Sequence, residues 1–240
     1  MATFRHQPTG KRFFFVHIPR TAGRYVEANL LSFNDYLWDD LDHRRKKCWS
    51  KKYGTIQTSR RDDPNAIKMY DSVGGIEIAH FHKDYYEKYL DIEDIPHVSI
   101  VRNPIDRFIS ASHFISRVFG EESQNLVENE EGFRYVMKNF PYPESPGWFR
   151  PQVRYITNQT HVWKFEDGLG EEFVSWLSGI VGVDLEFHED VEYPVASDEG
   201  NKLKKTPKLI HNLKILYKKD FEQFYSQLAT PLKEGAEAHA

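Results

Sequence analysis

The sequence predicts an α/β fold: a parallel sheet covered by helices on both faces. Three observations carry this. The stretch "FFFVHI" (13–18) is rich in Phe and Val and has the length of a buried strand. A second run, "HVSIVR" (97–102), is followed at once by a strong helix start. Strand-length segments alternate with helical ones along the chain, the pattern of βα units.

Length and composition fit one substantial core. The chain has 240 residues, 40% hydrophobic and 28% charged, with a formal net charge of -4. That size predicts a single domain over 1–240, and a mildly acidic balance excludes a general nucleic-acid binder while allowing a local basic pocket. The one cysteine, Cys48, permits no internal disulfide, as expected for a reducing compartment. No run approaches the roughly 20 apolar residues of a membrane span, and "MATFRHQPTGKR" has no signal-peptide core. The expectation is a cytoplasmic protein without membrane contact, so the sequon at Asn158 is read as chance.

The elements follow in order. After the first strand, Val26, Leu30 and Leu31 fall at helical spacing, predicting a helix over about 23–32. Residues 33–72 are charged and irregular and read as a surface insertion. "GGIEIAHFH" (74–82) alternates as a strand, "KDYYEKYL" (83–90) reads as a helix, and "HVSIVR" as another strand. In "NPIDRFISASHFISRVF" (103–119), Asn103 is placed to cap, Pro104 sits where a helix tolerates it, and Asp106 is set for a capping box. Residues 121–140 look helical and polar, and "PYPESPGW" (141–148) is a loop. "HVWKFE" (161–166) is a short strand and "GEEFVSWLSGIVG" (170–182) an amphipathic helix. "TPKLIHNLKILYKKDFEQFYSQL" (206–228) is one helix or a pair, and 233–240 is a frayed tail. The core thus runs over about 12–225. In such sheets ligands sit beyond the strand C-termini, which puts "HIPRTAG" and "VRNP" on one binding edge.

Three constellations carry candidate chemistry. In the first, a strand, a tight turn and a helix start leave backbone N–H groups pointing outward, where they favour an anion. Arg20 adds a fixed positive charge, Thr21 a hydroxyl and Gly23 room for close backbone approach. The loop is not a Walker A sequence, and an ordinary βα turn with a surface arginine stays open as an alternative. In the second, "VRNPIDRFISASHF", Arg102 ends a strand beside a helix N-terminus, and Arg107 and Ser110 share a helix face with Asn103 and Phe114. This suits a phosphate monoester; the alternative is a surface ion pair of Arg107 with a solvated serine. In the third, "AHFH", His80 and His82 fall on the same side of a continuing strand. No cysteine or second histidine pair completes a metal site, so no metal is expected, and a general base near its ordinary pKa fits better. A pair of partly exposed histidines at a strand end stays open.

Together these residues resemble the sulfotransferase superfamily that uses 3′-phosphoadenylyl sulfate. "FVHIPRTAG" is similar to its 5′-phosphosulfate loop, F-V-H-I-P-K-T-[AG]-[GS]. "VRNPIDRFISASHF" is similar to its 3′-phosphate motif, an Arg followed eight residues later by a Ser. "HFH" resembles the H-x-H of the glycan 2-O-sulfotransferase branch, which acts on uronic acids of heparan and dermatan sulfates, and "LYKKDFEQF" resembles that branch's final helix. The order and spacing of the motifs together make the match specific.

The resemblance implies a P-loop-like three-layer sandwich and an enzyme transferring sulfonate to a hydroxyl on a carbohydrate, leaving adenosine 3′,5′-bisphosphate. It implies that Arg20 holds the bridging oxygen and sulfonate. Pro19 to Tyr25 (Pro19, Arg20, Thr21, Ala22, Gly23, Arg24, Tyr25) would cradle the 5′-phosphate, and Arg102 with Ser110 would grip the 3′-phosphate. It implies that His80 takes the acceptor proton and that His82 supports it or orients substrate. Arg20 stands where the family usually has lysine, so it would act by charge and hydrogen bonding and not by giving up a proton. Arg24 and Tyr25 replace the hydroxyl residues that commonly follow the loop glycine. Acceptor contacts are expected from Arg150, Gln152, Arg154 and Tyr155, with internal packing equally open for them; Trp148 and Phe149 are further aromatic candidates. The competing readings are a protein-tyrosine or small-molecule acceptor, a non-catalytic nucleotide-binding relative, and a P-loop kinase.

Overall fold

The computed structural model describes residues 2–6, 9–23, 25–26, 82–89, 92–119, 134, 147–185 and 205–228. Within them a four-stranded sheet runs β1 (Ala2–Arg5), β2 (Arg12–Val16), β3 (His97–Val101) and β4 (Thr160–Lys164), in that spatial order. β2 pairs parallel with β3, and β3 with β4, while β1 runs antiparallel to β2. The expected parallel sheet is therefore present, with one antiparallel edge strand added.

β1 is the strand the sequence reading leaves out. Four residues are too short for an alternation signal, yet Phe4 is buried and its ring stacks on Phe13 at 5.1 Å. The turn between the strands places Gly10 at φ 71, where L side chains are strained, and Gly10 N–H donates to the His6 carbonyl at 2.7 Å. The core begins at this hairpin and not at residue 12.

The alternation of β2 decides the layering. Phe13 and Phe15 face one side, with Val98 and Ile100 of β3. There they pack on Phe173, Leu177 and Val181 of α3 (Glu171–Val181), one apolar stripe at intervals of four. Phe14 and Val16 face the other side. They meet Tyr86 of α1 (Lys83–Tyr89), Phe108 and Ala111 of α2 (Pro104–Phe119), Leu213 of α4 (Pro207–Leu216), and Phe221 and Phe224 of α5 (Lys218–Phe224). Helix, sheet and helix form three layers, and each wholly buried Phe stabilises the fold by about 1.5–3 kcal/mol.

The helix ends follow local chemistry. Thr206 caps α4 by accepting from Leu209 N–H at 3.1 Å, with Pro207 in the first turn. The C-terminal stretch is a pair of helices broken at Tyr217. At α2, Asn103 caps as expected, its Oδ1 accepting from Ile105 N–H at 3.0 Å. The capping box does not form: Asp106 pairs with Lys205 at 2.7 Å, and Asn103 N–H donates to Glu166 at 2.7 Å. The predicted strand over 74–81, the residues 33–72, most of 121–140, the end of the first helix and the tail lie outside the described residues, as do His80 and Arg24. No described helix is long and apolar enough to cross a membrane.

Candidate active site

The β2 strand delivers its chain to the loop His17–Ala22 at the strand's C-terminal edge. Arg20 and Ala22 both have left-handed backbones, φ 68 and 65. Each non-glycine residue held there costs about 1–3 kcal/mol, and such conformations recur where successive N–H groups must converge on an anion. Two contacts hold the loop closed. Thr21 Oγ1 donates to the Ile18 carbonyl at 2.9 Å, and Tyr25 N–H donates to the Ala22 carbonyl at 2.9 Å as the next helix opens. The Thr21 hydroxyl proton is thus engaged in shaping the loop. Tyr25 is half-buried, and burial raises its phenol pKa.

Gly23 also makes room inside the protein. A Cβ there would fall 2.2 Å from Cδ2 of His17, so the buried imidazole occupies the space the missing side chain leaves. Gly23→Ala is expected to force the His17 ring or the loop to move and to lower stability by about 1–3 kcal/mol. Urea denaturation of the two proteins measures this; equal midpoints would contradict it.

The second motif lies at the same edge. Arg102 follows the last residue of β3, and its backbone is clamped by the side-chain amide of Gln152. Arg102 N–H donates to Gln152 Oε1 and Gln152 Nε2 to the Arg102 carbonyl, both at 2.8 Å. The Arg102 guanidinium lies over the Phe165 ring, 4.5 Å from its centroid. Glu166 accepts from Asn103 N–H at the start of α2 and, at 2.7 Å, from the Tyr225 hydroxyl, whose own pKa is raised by burial and by that carboxylate.

The two motifs meet. Arg20 Nε donates to Ser110 Oγ at 3.1 Å across 90 residues of sequence, and its guanidinium covers the Phe114 ring at 5.0 Å. Phe114 in turn stacks on Trp148 at 4.2 Å and 19°. Arg20 and Ser110 are therefore in contact, with the Phe114–Trp148 pair beside them.

His82 opens α1 and is buried. Its Nδ1 is 3.3 Å from Asp84, which Arg154 holds at 2.6 Å. Burial, then the charge of Arg150, lowers the imidazole to about 4, against the opposing pull of Asp84. The ring is neutral at pH 7 and can accept a proton or hydrogen bond.

The four residues offered for the acceptor divide. Gln152 is fully buried and follows the packing alternative, its amide used on Arg102. Tyr155 is also fully buried, donating to the Gly147 carbonyl at 2.8 Å and accepting at its own carbonyl from Tyr86. Arg154 is exposed and paired with Asp84. Arg150 is buried, beside Tyr155 and near His82. Arg107 corrects the surface ion-pair alternative outright: it has no exposed surface and donates to backbone carbonyls. Asp220, from the terminal helix pair, was not singled out by the sequence reading. It is fully buried and accepts from Gln152 N–H at 2.8 Å and Val153 N–H at 2.9 Å. Both residues sit in helices otherwise read as amphipathic, and their apolar flanks, "RFI" and "DFEQF", are the only trace of enclosure.

With this geometry in place, comparison with known proteins is direct. The family model described as "Sulfotransferase family" matches residues 4–162. The chain belongs to the sulfotransferase family. The matched span contains the loop, Arg102, Ser110, His82 and the 147–155 segment, while Phe165, Glu166, Asp220 and Tyr225 lie beyond it. A solved structure, a sulfotransferase from Alicyclobacillus acidocaldarius, is similar at 18% identity, covering 90% of this chain and 94% of that one with a TM-score of 0.44. No curated protein matches the chain.

As a sulfotransferase, the chain transfers sulfonate, and the buried His82 gives its stability a dependence on pH. The unfolded imidazole titrates near 6.5 and the folded one near 4, so between these values the unfolded chain binds a proton that the folded chain does not. Stability is complete above about 6.5 and is lost as pH falls toward 4. Burial lowers His97 as well, adding in the same direction. Thermal melts from pH 7 to 4.5 should show a falling midpoint, with a shallower fall in His82→Gln. Parallel slopes would remove His82 from this account.

Proposed function

We propose that this sulfotransferase moves the sulfonate group of 3′-phosphoadenylyl sulfate to a carbohydrate hydroxyl by in-line transfer. The observation that carries the reading is the Arg20–Ser110 contact, which joins the loop suited to a 5′-phosphosulfate to the motif suited to a 3′-phosphate. Adenosine 3′,5′-bisphosphate has phosphate at both ends of its ribose, and two anion-binding arrangements on one sheet edge fit that spacing of charge better than a single triphosphate chain.

In the proposed step the bond from sulfur to the phosphate oxygen breaks as the bond from sulfur to the acceptor oxygen forms. The acceptor proton passes to His80, and His82, neutral at pH 7, supports it or orients the acceptor. Negative charge grows on the leaving phosphate oxygen. Arg20 and the N–H groups of the left-handed loop meet that charge without reorganising. Arginine stays protonated throughout, so the leaving bisphosphate departs as an anion held by fixed charge. Arg150 and Arg154, near His82, are the cationic groups offered to an acidic sugar such as a uronic acid, the acceptor class of the glycan 2-O branch.

The test uses labelled 3′-phosphoadenylyl sulfate with uronic-acid polysaccharides, neutral sugars, tyrosyl peptides and small phenols. The reading expects label on the uronic-acid polymer. Label confined to the peptides or phenols would overturn the carbohydrate assignment, and no transfer to any class would count against the activity.

A further inference from the structure

We infer that Arg107 is a positioning residue for the donor loop: its buried guanidinium draws the Pro19 carbonyl inward and so turns the Arg20 N–H outward, toward the 5′-phosphate. This rests on the proposed donor and deepens it.

Arg107 is fully buried, among the largest enclosed side chains. Its Nη1 donates to the Trp148 carbonyl at 3.0 Å and, more weakly, to the Pro19 carbonyl at 3.4 Å; Nη2 donates to the Arg150 carbonyl at 2.5 Å. Its charge lies 5.5 Å from the Tyr217 ring centroid. It also acts on the Asp220 carboxyl, drawing that pKa down against the rise that burial imposes. A buried cation is tolerated only with such partners, and arginine supplies planar donors that reach several carbonyls at once and keeps its charge.

The consequence follows from peptide geometry. In a planar trans peptide the C=O and the next N–H point in opposite directions. Fixing the Pro19 carbonyl on Arg107, inside the domain, fixes the Arg20 N–H on the far side of the same plane. The left-handed φ of 68 at Arg20 is then the conformation that lets the chain continue from that fixed plane. α2 holds Arg20 twice: by its peptide through Arg107, and by its side chain through Ser110, one helical turn further on. The same guanidinium anchors Trp148 and Arg150, so the loop and the segment facing His82 share one support.

The test compares two ligands that differ only at the 5′ end: adenosine 3′,5′-bisphosphate and adenosine 3′-monophosphate. In Arg107→Lys, a single ammonium cannot bridge both segments. Affinity for the bisphosphate is expected to fall about tenfold or more while the 3′-monophosphate changes less than about twofold. Tyr217→Phe, which removes only the hydroxyl that donates to the Phe149 carbonyl at 2.7 Å, is expected to keep the wild-type ratio. Equal losses for both ligands, or none, would overturn the positioning role. A wild type that shows no preference for the bisphosphate would overturn the donor assignment itself, and the inference with it. Should Arg107→Lys not fold, the wild-type protein labelled with nitrogen-15 reads the same claim. The Arg20 amide should shift on adding the bisphosphate and not the 3′-monophosphate, and an unmoved amide would overturn it.

Discussion

Arg20→Ala is expected to lower kcat for sulfonate transfer by about 10²–10³-fold, with a much smaller change in KM. The estimate is that for removing one preorganised donor from a developing oxyanion. Arg20 is already oriented, its Nε on Ser110 and its guanidinium face on Phe114. In the proposed transfer it meets the leaving oxygen without ordering cost, and its contribution grows with the charge in the transition state, so kcat and not KM should carry the loss. Arg20→Lys, the residue more usual in the family, is expected to stay within about tenfold of wild type, because charge at that oxygen is retained. Steady-state kinetics with the best acceptor from the labelled-donor panel decides both. An unchanged kcat in Arg20→Ala would remove Arg20 from the transition state.

Arg102→Ala is expected to weaken adenosine 3′,5′-bisphosphate by about 10- to 100-fold, the scale of one charge-assisted contact to phosphate. Adenosine 5′-monophosphate, which has no 3′-phosphate, should bind the variant as it binds wild type. The substitution is a clean one. The backbone of Arg102 is held by Gln152 through both its N–H and its carbonyl, independently of the guanidinium, and Gln152 is held in turn by Asp220. What the side chain loses locally is its place over Phe165. Calorimetric titration of both ligands measures the difference, and equal weakening of the two would show that Arg102 supports the fold and not the 3′ end.

β2 and β3 were legible because they are buried on both faces. "FFFV" and "HVSIV" have no solvated side and leave no other reading, and the helix over 104–119 announced itself through Asn103 and Pro104. β1 was not legible, because an edge strand of four residues gains its identity from pairing with β2 and from the Phe4–Phe13 stack, neither of which is local. The loop over 17–23 and the motif over 102–114 were likewise readable as patterns at the strand ends. Their contact was not: nothing in the spacing of Arg20 and Ser110 states that their side chains touch.

The largest difference concerns which polar residues lie inside. Helical projection put Arg107 and Ser110 on one face and left a surface ion pair open for Arg107, yet Arg107 is enclosed while Ser110 is half-buried and meets Arg20. A projection knows the direction of a side chain and not what closes over it. Here the enclosing groups are the 147–150 carbonyls and Tyr217, contributed by segments about 40 and 110 residues later. Gln152 and Asp220 share this logic. Each is a polar side chain that satisfies backbone groups where a loop must run through the interior, and the need for it arises only once the chain is folded.

The proposed donor is a nucleotide with phosphates at both its 3′ and 5′ positions. Thermal denaturation with adenosine 3′,5′-bisphosphate, set against ATP with magnesium, tests it most directly, because only a ligand that binds the folded state raises the midpoint. A concentration-dependent rise is expected with the bisphosphate and none with ATP. A rise with ATP and magnesium, and none with the bisphosphate, would contradict it.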